Sequence, residues 1–239
     1  MSDNNQEESY LFAWDKVWQK SFAHYQNDIR HAHYIRSQIK PHEKKLIEIA
    51  AGSFRDMAAL RRLGVDCEGM DSSAESIDLA KNLHKEYAKK IHKMDAFELK
   101  IPDKSFDLSF HNGFWGYFSD EKIKKLAQEQ ARITNGRMIA TVHNAHNKGF
   151  LEYFNKVKKN DPLYDIRFFS LEEMHALLSD TCTNIKIIPV GKAKRSHEDL
   201  LIKCSLTHPK LLNWYLLRSK YKYLTSSERL LCIGTPKNI

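Results

Sequence analysis

The 239-residue sequence lacks the features that mark several common classes of protein. Its four cysteines, Cys67, Cys182, Cys204 and Cys232, form no C-x-x-C pair, so neither a zinc site nor a disulfide framework is indicated. No apolar run approaches the ~20 residues of a membrane-spanning helix. The polar start of the chain does not resemble a signal peptide. We therefore expect a cytoplasmic protein with reduced, buried thiols and no membrane partner.

Glycine and proline are also scarce, at nine and six residues. After the short apolar run 46–49, Gly52 is the only glycine present of a G-x-G-x-x-G phosphate-binding fingerprint. Ala50 and Phe54 stand at neighbouring positions, where alanine is tolerable if its backbone keeps a negative φ and where we expect Phe54 to crowd the turn. The carboxylate of Glu48 would also repel a pyrophosphate. These departures argue against a nicotinamide-dependent oxidoreductase.

Charge is plentiful but not concentrated. The formal net charge of +8 raises the question of a nucleic-acid partner. The basic residues, however, are spread over several predicted helix faces, for example around Lys124, Lys158 and Arg218, which is typical of a solubilising surface. A nucleic-acid partner is therefore less favoured than a small molecule, and the oligomeric state stays open.

One region near the start of the chain predicts a strand, a tight turn, a helix and a second strand. The buried strand at 46–49 is followed by small residues and then by helical spacing that ends at Gly64. The second strand ends at Asp71, and Ser72 and Glu75 then have the spacing of a capping box, as do Ser170 and Glu173 before a later predicted helix. Such a unit is the first half of a doubly wound sheet, whose ligand lies over the carboxyl ends of the strands.

This region resembles motif I and the acidic strand that follows it in class I S-adenosylmethionine-dependent methyltransferases. The phrase Pro-Asp-Lys-Ser-Phe-Asp at 102–107, before the predicted fourth strand, is also typical of that family. The resemblance implies S-adenosylmethionine as the cofactor and S-adenosylhomocysteine as the product. It implies cofactor contacts at three successive strand ends: Glu48, Ala50 and Gly52 at the methionine end, Asp71 and Ser72 at the ribose, and Asp95 and Ala96 at the adenine.

The fold that the resemblance implies is α/β, with a doubly wound, Rossmann-like, seven-stranded mixed sheet. We expect a tail and helical lid at 1–43 and the methyltransferase domain at 44–239, with a helical insertion at 196–226. Two segments compete for the last strand, 200–206 and 230–234. We prefer the second, because the family commonly closes with an apolar strand near the C-terminus.

Aromatic residues recur every three or four positions in a helical pattern over 10–39. Four of them share one helix face: Trp14, Trp18, Phe22 and Tyr25. This face serves either as core packing or as a lid over the cofactor and acceptor, and the sequence leaves both interpretations open. It also leaves open whether the basic, aromatic segment 211–223 covers the acceptor site, binds a partner or forms a dimer.

Two segments rich in histidine and aromatic residues follow the predicted fourth and fifth strands. The resemblance implies that the acceptor lies there, and we expect His111 and His143 to emerge at the same edge of the sheet. Either imidazole is a candidate proton acceptor, because its ordinary pKa lies near neutral pH. No carboxylate or cysteine joins them at a ligand spacing, so no metal site is predicted. We assign the acceptor pocket to four residues: Trp14, Trp115, Tyr117 and His146.

These observations together predict an enzyme that methylates a hydroxyl or amine of a small molecule, such as a sugar or another metabolite. An RNA or DNA methyltransferase is the alternative that the net charge supports. The sequence, however, has no Asn-Pro-Pro-Tyr or Asp-Pro-Pro-Tyr motif of the kind that grips a flipped base amine. A non-catalytic S-adenosylmethionine-binding module is the other alternative, which the missing glycines support.

Overall fold

The computed structural model describes residues 2–159, 161, 164–192, 197–204, 206–218 and 222–237, and for residues 2–13 the backbone alone. The strands of this part of the chain are β1 Lys45–Glu48, β2 Asp66–Asp71, β3 Ile91–Lys93, β4 Phe106–Asn112, β5 Thr134–Asn144, β6 Phe168–Phe169, β7 Cys182–Lys192 and β8 Ser227–Pro236. Its α-helices are α1 Ser2–Tyr25, α2 Arg30–Gln38, α3 Arg55–Arg62, α4 Ala74–Leu83, α5 Asp120–Ile133, α6 Lys148–Val157, α7 Leu171–Ser179, α8 His197–Lys203 and α9 Pro209–Arg218. Short 3-10 helices span Lys85–Lys90 and Phe114–Tyr117.

All of these strands belong to one mixed sheet in the order β3-β2-β1-β4-β5-β8-β7, with β6 beside β5. The pairs from β3 to β5 are parallel, whereas β8 runs antiparallel to β5 and β7. The predicted α/β, Rossmann-like class with a mixed sheet is confirmed, and the two-residue β6 adds a short strand to the seven expected. The last strand is β8, as preferred, because residues 197–203 form helix α8 instead.

The central strands are buried on both faces. On β1, Leu46 joins an apolar core with α2, α3 and α9, whereas its neighbour Ile47 joins a second core with α5 and α7. Successive side chains of a strand point to opposite faces, so a strand covered on both sides reads as a continuous apolar run. Helices on the two faces therefore hold the carboxyl ends of β1, β2 and β4 at one edge of the sheet.

The predicted N-terminal helical pattern is divided into two helices of different burial. The carboxylate of Asp28 accepts a hydrogen bond from the Arg30 N–H (3.1 Å), which starts α2 afresh after α1 has ended. Tyr34 and Ile35 of α2 lie in the core, whereas α1 is exposed on much of its described surface. Only α1 is therefore placed to act as a lid.

Two helix starts were expected to carry capping boxes, and one does. At α7, Ser170 Oγ accepts from the Glu173 N–H (3.1 Å) and the Glu173 carboxylate accepts from the Ser170 N–H (2.7 Å). At α4 the cap is Ser73 rather than Ser72, since Ser73 Oγ accepts from the Ser76 N–H (3.1 Å). The backbone of Ser72 is needed for the sharp turn after β2, which moves the cap by one residue.

The segment between β7 and β8 contains the helices α8 and α9, whereas its described residues 204, 206–208 and 222–226 are turn or coil. Leu212 and Leu216 of α9 are fully buried, and Asn213 accepts a hydrogen bond from the Gln38 side chain of α2 (3.1 Å). Trp214, in contrast, is 53% exposed. The segment 211–218 is thus part of the fold on its apolar side. Among the cysteines, Cys204 is exposed, which corrects the expectation that all four are buried.

Candidate active site

The order of the sheet reverses at β1. The chain passes from β1 outward to β2 and β3 and then returns to place β4 on the other side of β1. In open α/β sheets a crevice forms outside the carboxyl ends of the strands at such a switch point, and ligands bind there. The turn 49–54, the end of β2 and the loop after β4 all border this crevice.

The turn after β1 contains three residues in the left-handed region: Ala50 (φ 49°), Gly52 (φ 55°) and Phe54 (φ 53°). The condition set for an alanine at this position, a negative φ, is therefore not met by Ala50. A left-handed residue other than glycine costs on the order of 1 kcal/mol, and such strain is concentrated at functional sites. The turn is held from both ends, because the Ala51 N–H donates to the Met70 carbonyl (2.9 Å) and the Phe54 N–H to the Ala51 carbonyl (3.0 Å).

Phe54 does not crowd the turn, contrary to expectation. Its side chain is fully buried in the core. A Cβ added at Gly69 of β2 would lie 2.8 Å from the Phe54 ring, so the glycine in β2 is what makes room for the ring. The missing glycine of the turn is therefore compensated by a glycine in the neighbouring strand.

Asp71, at the end of β2, ties that strand to the turn. Its Oδ2 accepts from the Gly52 N–H (2.8 Å) and its Oδ1 from the Ser73 N–H (2.9 Å). Burial raises the pKa of Asp71, while these backbone hydrogen bonds act to lower it. A carboxylate has about four acceptor positions, so the group keeps room for further donors such as the hydroxyls of a ribose. Ser72, predicted to lie beside the ribose, is partly buried between Asp71 and Ser73.

Glu48 lies elsewhere than predicted. Its side chain is buried and its Oε2 accepts from the Met57 N–H in the first turn of α3 (2.8 Å). A carboxylate at a helix N-terminus satisfies a free N–H and the helix dipole. Burial, with the nearby carboxylate of Asp56 as the second cause, raises the pKa of Glu48 well above its usual range. Glu48 therefore anchors α3 beneath the turn and does not line the crevice at the methionine end.

The lid helix α1 lies directly on the turn. A Cβ at Gly52 would be 2.3 Å from the indole of Trp18, so the flat ring occupies the space that glycine leaves. Asp15 Oδ1 accepts from Ser73 Oγ (2.5 Å) beside Asp71. The sequence assigned neither Trp18 nor Asp15 to the site. The signal for Trp18 was its place in the same aromatic stripe as Trp14, and Asp15 had none.

The chemical groups at the turn around Gly52 suit an S-adenosyl ligand. The backbone at Gly52 already accommodates a planar aromatic system without a Cβ in the way, and the Asp71 carboxylate offers acceptors beside it. Trp18 stands in the same space. A ligand placed over the backbone of Gly52 would therefore compete with the Trp18 indole for this space.

Asp95 and Ala96 follow β3, where the adenine contact was predicted. Ala96 is buried, whereas Asp95 is exposed and its Oδ1 accepts from the Phe97 N–H (2.9 Å) within its own turn. The Met94 N–H donates to the Asp71 carbonyl (3.0 Å), which holds this turn beside the end of β2. A contact of Asp95 with adenine stays a prediction.

His111, at the end of β4, is fully buried, and within the described residues neither of its ring nitrogens has a hydrogen-bond partner. Its ring packs against Trp115 (centroids 4.7 Å apart) and Phe114 (6.0 Å). Burial lowers the pKa of His111 to about 3. Trp115 is itself 1% exposed and belongs to the core with α5. It therefore supports His111 and is not the pocket wall that was predicted.

His143, on β5, lies among the aromatic residues Phe150, Phe154 and Phe168, with the latter two ring centroids at 5.0 Å. Nη1 of Arg229 lies 3.2 Å from His143 Nδ1. Because a guanidinium only donates, Nδ1 is the accepting nitrogen and the proton of the neutral ring sits on Nε2. Burial, and secondarily Arg229, lower the pKa of His143 well below its usual range.

The two histidines emerge at the same edge of the sheet, as expected, but on opposite faces. In the parallel register His111 stands beside Ala140, and His143 is three residues further along the same strand. Side chains an odd number of positions apart on a strand point to opposite faces. Both residues lie near the carboxyl ends of their strands, but His111 faces the helix α5 and His143 faces the other side of the sheet.

Of the remaining predicted pocket residues, two meet and one does not. The rings of Trp14 and Tyr117 are in edge-to-face contact, 5.0 Å between centroids, so α1 closes onto the loop after β4. His146 instead accepts at Nε2 from the Leu171 N–H (3.2 Å) and caps α7. His146 is therefore a structural residue rather than a substrate contact.

A buried polar network that the sequence did not indicate lies beside the start of the loop 113–118, which follows β4 and is called the acceptor loop below. His31 Nδ1 is 2.8 Å from Asp56 Oδ2, and its Nε2 is 2.8 Å from Thr141 Oγ1. The Asn112 side chain donates to the same Asp56 oxygen (3.2 Å). Arg55 and these partners hold the pKa of Asp56 far below its usual range, against the effect of burial. The network joins α2 and α3 to the ends of β4 and β5.

The described residues contain no group of three histidine, cysteine, aspartate or glutamate side chains that could hold a metal ion. They also contain no helix that is both long enough and apolar enough to cross a membrane.

The region that holds the candidate site is similar in sequence to known proteins. A family model described as a methyltransferase domain matches residues 47–139. An uncharacterized methyltransferase of Bacillus subtilis, YcgJ, is 28% identical over 144 residues, which cover 57% of this chain and 56% of that protein. The alignment thus spans little more than half of the relative's length.

Two solved structures share the fold. A SAM-dependent methyltransferase from Archaeoglobus fulgidus is 15% identical with a TM-score of 0.62, over 95% of this chain and 99% of that one. A SAM-dependent methyltransferase from Thermotoga maritima, described as a possible histamine N-methyltransferase, is 17% identical with a TM-score of 0.57, over 98% and 96%. At these identities the likeness establishes the fold.

The matched domain begins in β1, crosses the turn at Gly52 and the end of β2 at Asp71, and finishes in β5. The sequence match thus covers the strands from β1 to β5, and the predicted resemblance to S-adenosylmethionine-dependent methyltransferases, with that cofactor, is confirmed. Residues 47–139 match a methyltransferase domain, and the chain has the fold of S-adenosylmethionine-dependent methyltransferases.

Proposed function

We propose that this chain transfers a methyl group from S-adenosylmethionine to a hydroxyl or amine of a small molecule. The observation that carries this proposal is the enclosure of the crevice: Trp14 meets Tyr117 across it, while Trp18 covers Gly52. A closed, aromatic-lined site suits a small acceptor. A nucleic acid would instead need an open basic groove with accessible stacking faces.

The residues of this chain would hold the cofactor and position the acceptor. Asp71 and the backbone of Gly52 would bind the adenosyl part, and the aromatic residues of α1 and the 113–118 loop would exclude water. When bound, the cofactor supplies a methyl group on a positively charged sulfur, which departs as a neutral thioether once the acceptor's lone pair bonds to the methyl carbon. Alignment of the acceptor can provide much of the acceleration, because the displacement needs little covalent help.

The two histidines differ as proton acceptors. His111 has a ring nitrogen with no hydrogen bond to any described residue, whereas Nδ1 of His143 already accepts from Arg229. Both pKa values are lowered, and a group of low pKa is a weak base at neutral pH. An amine suits this site better than an aliphatic hydroxyl, since its neutral lone pair attacks first and its proton is released to water afterwards.

A non-catalytic module is the second candidate, and the position of Trp18 on Gly52 is the observation that favours it. In that case the chain would bind the cofactor or its product without turnover. The two candidates share the cofactor site and differ only in whether the bound cofactor gives up its methyl group.

Titration calorimetry with S-adenosylhomocysteine, beside NAD(H), tests the cofactor site. We expect saturable binding of the adenosyl ligand alone. Asp71→Asn should weaken it about tenfold or more, because a hydrogen bond to a charged acceptor contributes about 1.5–3 kcal/mol. Asp78→Asn, on the exposed part of α4, is the matched control and should bind like the wild type. Absence of binding, or binding of NAD(H) instead, would contradict the proposal.

Turnover is tested by release of S-adenosylhomocysteine from S-adenosylmethionine over a panel of small amines, phenols and sugars, with RNA as a separate arm. Small-molecule turnover supports the enzyme proposed here. Turnover with RNA alone would favour the nucleic-acid alternative, and tight binding without turnover in any arm would favour the module.

A further inference from the structure

Arg229 is the charged side chain nearest to the start of the acceptor loop. It lies on β8, directly opposite His143 of β5 in the antiparallel register. Its Nη1 is 3.2 Å from His143 Nδ1 and 3.0 Å from where a Cβ of Gly113 would stand. A larger residue at position 113 would therefore push the guanidinium away, so Gly113 leaves the space that the guanidinium occupies.

No carboxylate of the described residues forms an ion pair with Arg229. Five of the other partly buried arginines differ, since each has a carboxylate oxygen at 3.0 Å or less: Arg30, Arg61, Arg132, Arg137 and Arg167. Of the remaining two, Arg55 has a carboxylate oxygen at 3.5 Å, and Arg36 has no ion pair with a described residue. The adjacent Glu228 turns its carboxylate toward Gly191 of β7, at 3.4 Å from the Cβ position there. A desolvated cation without an ion-pair partner is costly, so Arg229 has an unmet requirement for an anion.

The neighbouring charges act on Arg229 in both directions. Burial lowers the pKa of Arg229 and the like charge of Arg55 adds to the lowering, while Glu228 opposes both. Arg55 itself is held by the Tyr25 carbonyl (2.9 Å) and lies 3.5 Å from Asp56. The guanidinium groups of Arg55 and Arg229 thus lie near one another at the edge of the sheet that the carboxyl ends of the strands form, beside the residues of α1.

Aromatic side chains surround this cation. Tyr25 and Tyr117 are both close enough to influence its charge. Phe154 and Phe168 pack on the His143 ring that Arg229 contacts. An acceptor that fits here would combine one anionic group for the guanidinium with a flat or apolar body for the rings.

We propose that Arg229 binds the anionic group, a carboxylate or a phosphate ester, of an aromatic or apolar acceptor held between Gly113, His143 and the aromatic residues of α1. The proposal names the substrate class of the methyltransferase site and so rests on the proposed function. The planar fork of arginine makes two parallel hydrogen bonds to either oxyanion. His143, which accepts from Nη1, orients that fork.

The test uses the full chain with saturating S-adenosylhomocysteine and three probes of similar shape: benzoate, phenyl phosphate and neutral benzamide. Binding is followed by ligand-observed NMR and calorimetry. The wild type should bind benzoate or phenyl phosphate about tenfold or more tightly than benzamide, as expected for charge-assisted hydrogen bonds. The preference between the two anions distinguishes a carboxylate from a phosphate acceptor. Equal binding of all three probes would overturn the proposal.

Three variants separate recognition from structure. Arg229→Gln should lose the preference for anions, and Arg229→Lys should keep only part of it because the charge remains while the fork is lost. Arg62→Gln, an exposed arginine of α3, is the control and should keep it. Arg229→Gln should also unfold at an equal or higher urea concentration than the wild type, since it removes a partly buried cation that forms no ion pair with the described residues. Lower stability with an unchanged anion preference would identify a purely structural arginine.

The affinity for S-adenosylhomocysteine reports separately on the proposed function. Arg229→Gln should retain it within about twofold, because Asp71 and Gly52 are on other strands. A wild type that binds no S-adenosylhomocysteine would contradict the methyltransferase proposal. In that event the same three probes, titrated without it, still decide whether Arg229 is an anion site.

Discussion

On the cofactor side of the crevice, the buried carboxylates are bonded to the backbone. Asp71 accepts from Gly52 and Ser73, and Glu48 accepts from Met57. On the acceptor side, the two corresponding polar groups are incompletely satisfied by the described residues. The ring of His111 has no hydrogen-bond partner there, and Arg229 contacts a histidine but forms no ion pair with a carboxylate.

This difference separates two uses of a buried polar group. A group whose hydrogen bonds are made within the protein fixes a backbone shape, which is what a turn that binds a cofactor needs. A buried group left without a partner lowers stability. It persists where another requirement, such as a ligand, outweighs that cost. The cofactor side is therefore expected to be sensitive in stability, and the acceptor side in activity.

The largest effect is expected on the cofactor side. Phe54→Ala empties the space between the turn and Gly69, and should lower the free energy of unfolding by about 3–5 kcal/mol, as for other buried aromatic residues. Urea unfolding followed by circular dichroism measures this. The control Phe97→Ala, at a site 36% exposed, should cost much less. Equal losses in the two variants would show that the turn does not depend on the Phe54 ring.

The opposite sign is expected at His111. His111→Leu replaces a buried ring without hydrogen-bond partners among the described residues by an apolar side chain of similar size, and should raise the free energy of unfolding by about 1–3 kcal/mol. If His111 is the proton acceptor, turnover should fall while binding of S-adenosylhomocysteine is kept. His175→Leu, on an exposed face of α7, is the control. A destabilised His111→Leu protein would mean that the ring has a partner after all.

A smaller, pH-dependent effect is expected at Glu48. Because its folded pKa is raised, the folded state binds more protons than the unfolded state above the unfolded pKa, so stability decreases as the pH rises from about 4 toward the folded pKa. Glu48→Gln removes this contribution and should be more stable than the wild type at pH 7 by about 1 kcal/mol.

The advantage of Glu48→Gln should shrink as the pH is lowered toward about 4, where the wild-type carboxyl is protonated in both states. Urea titrations at pH 7, 5.5 and 4 measure it, with the exposed Glu98→Gln as control. An advantage that grows on acidification would reverse the sign of the pKa shift and refute the assignment.

The smallest effect concerns the lid. Since the Trp18 indole occupies the space at Gly52, Trp18→Ala should raise the association rate of S-adenosylhomocysteine several-fold, because less of the protein is in a closed form. Stopped-flow fluorescence measures it, and Trp214→Ala, at a site 53% exposed, controls for the loss of a tryptophan. An unchanged rate would mean that α1 leaves the turn without limiting entry of the ligand.

Much of the fold could be predicted because its signals are local. The apolar run of β1, the end of β2 at Asp71 and the capping box at Ser170 each depend on a few neighbouring residues, and each was found where expected. The candidate site was harder. Glu48 and His146 have the right residue types at strand ends, but their side chains cap helices that the sequence could not orient.

The sequence alone determined the resemblance to methyltransferases, the succession of strands along the chain and the place of the acidic residue at the end of β2, because local motifs, periodicity and spacing carry these features. Tertiary structure decided which side chains face the crevice. His111 and His143 were separated by the face of the sheet, and Arg229 was brought to Gly113 by the antiparallel pairing of a strand that comes late in the sequence. Distances between such residues depend on register and packing, which no local pattern encodes.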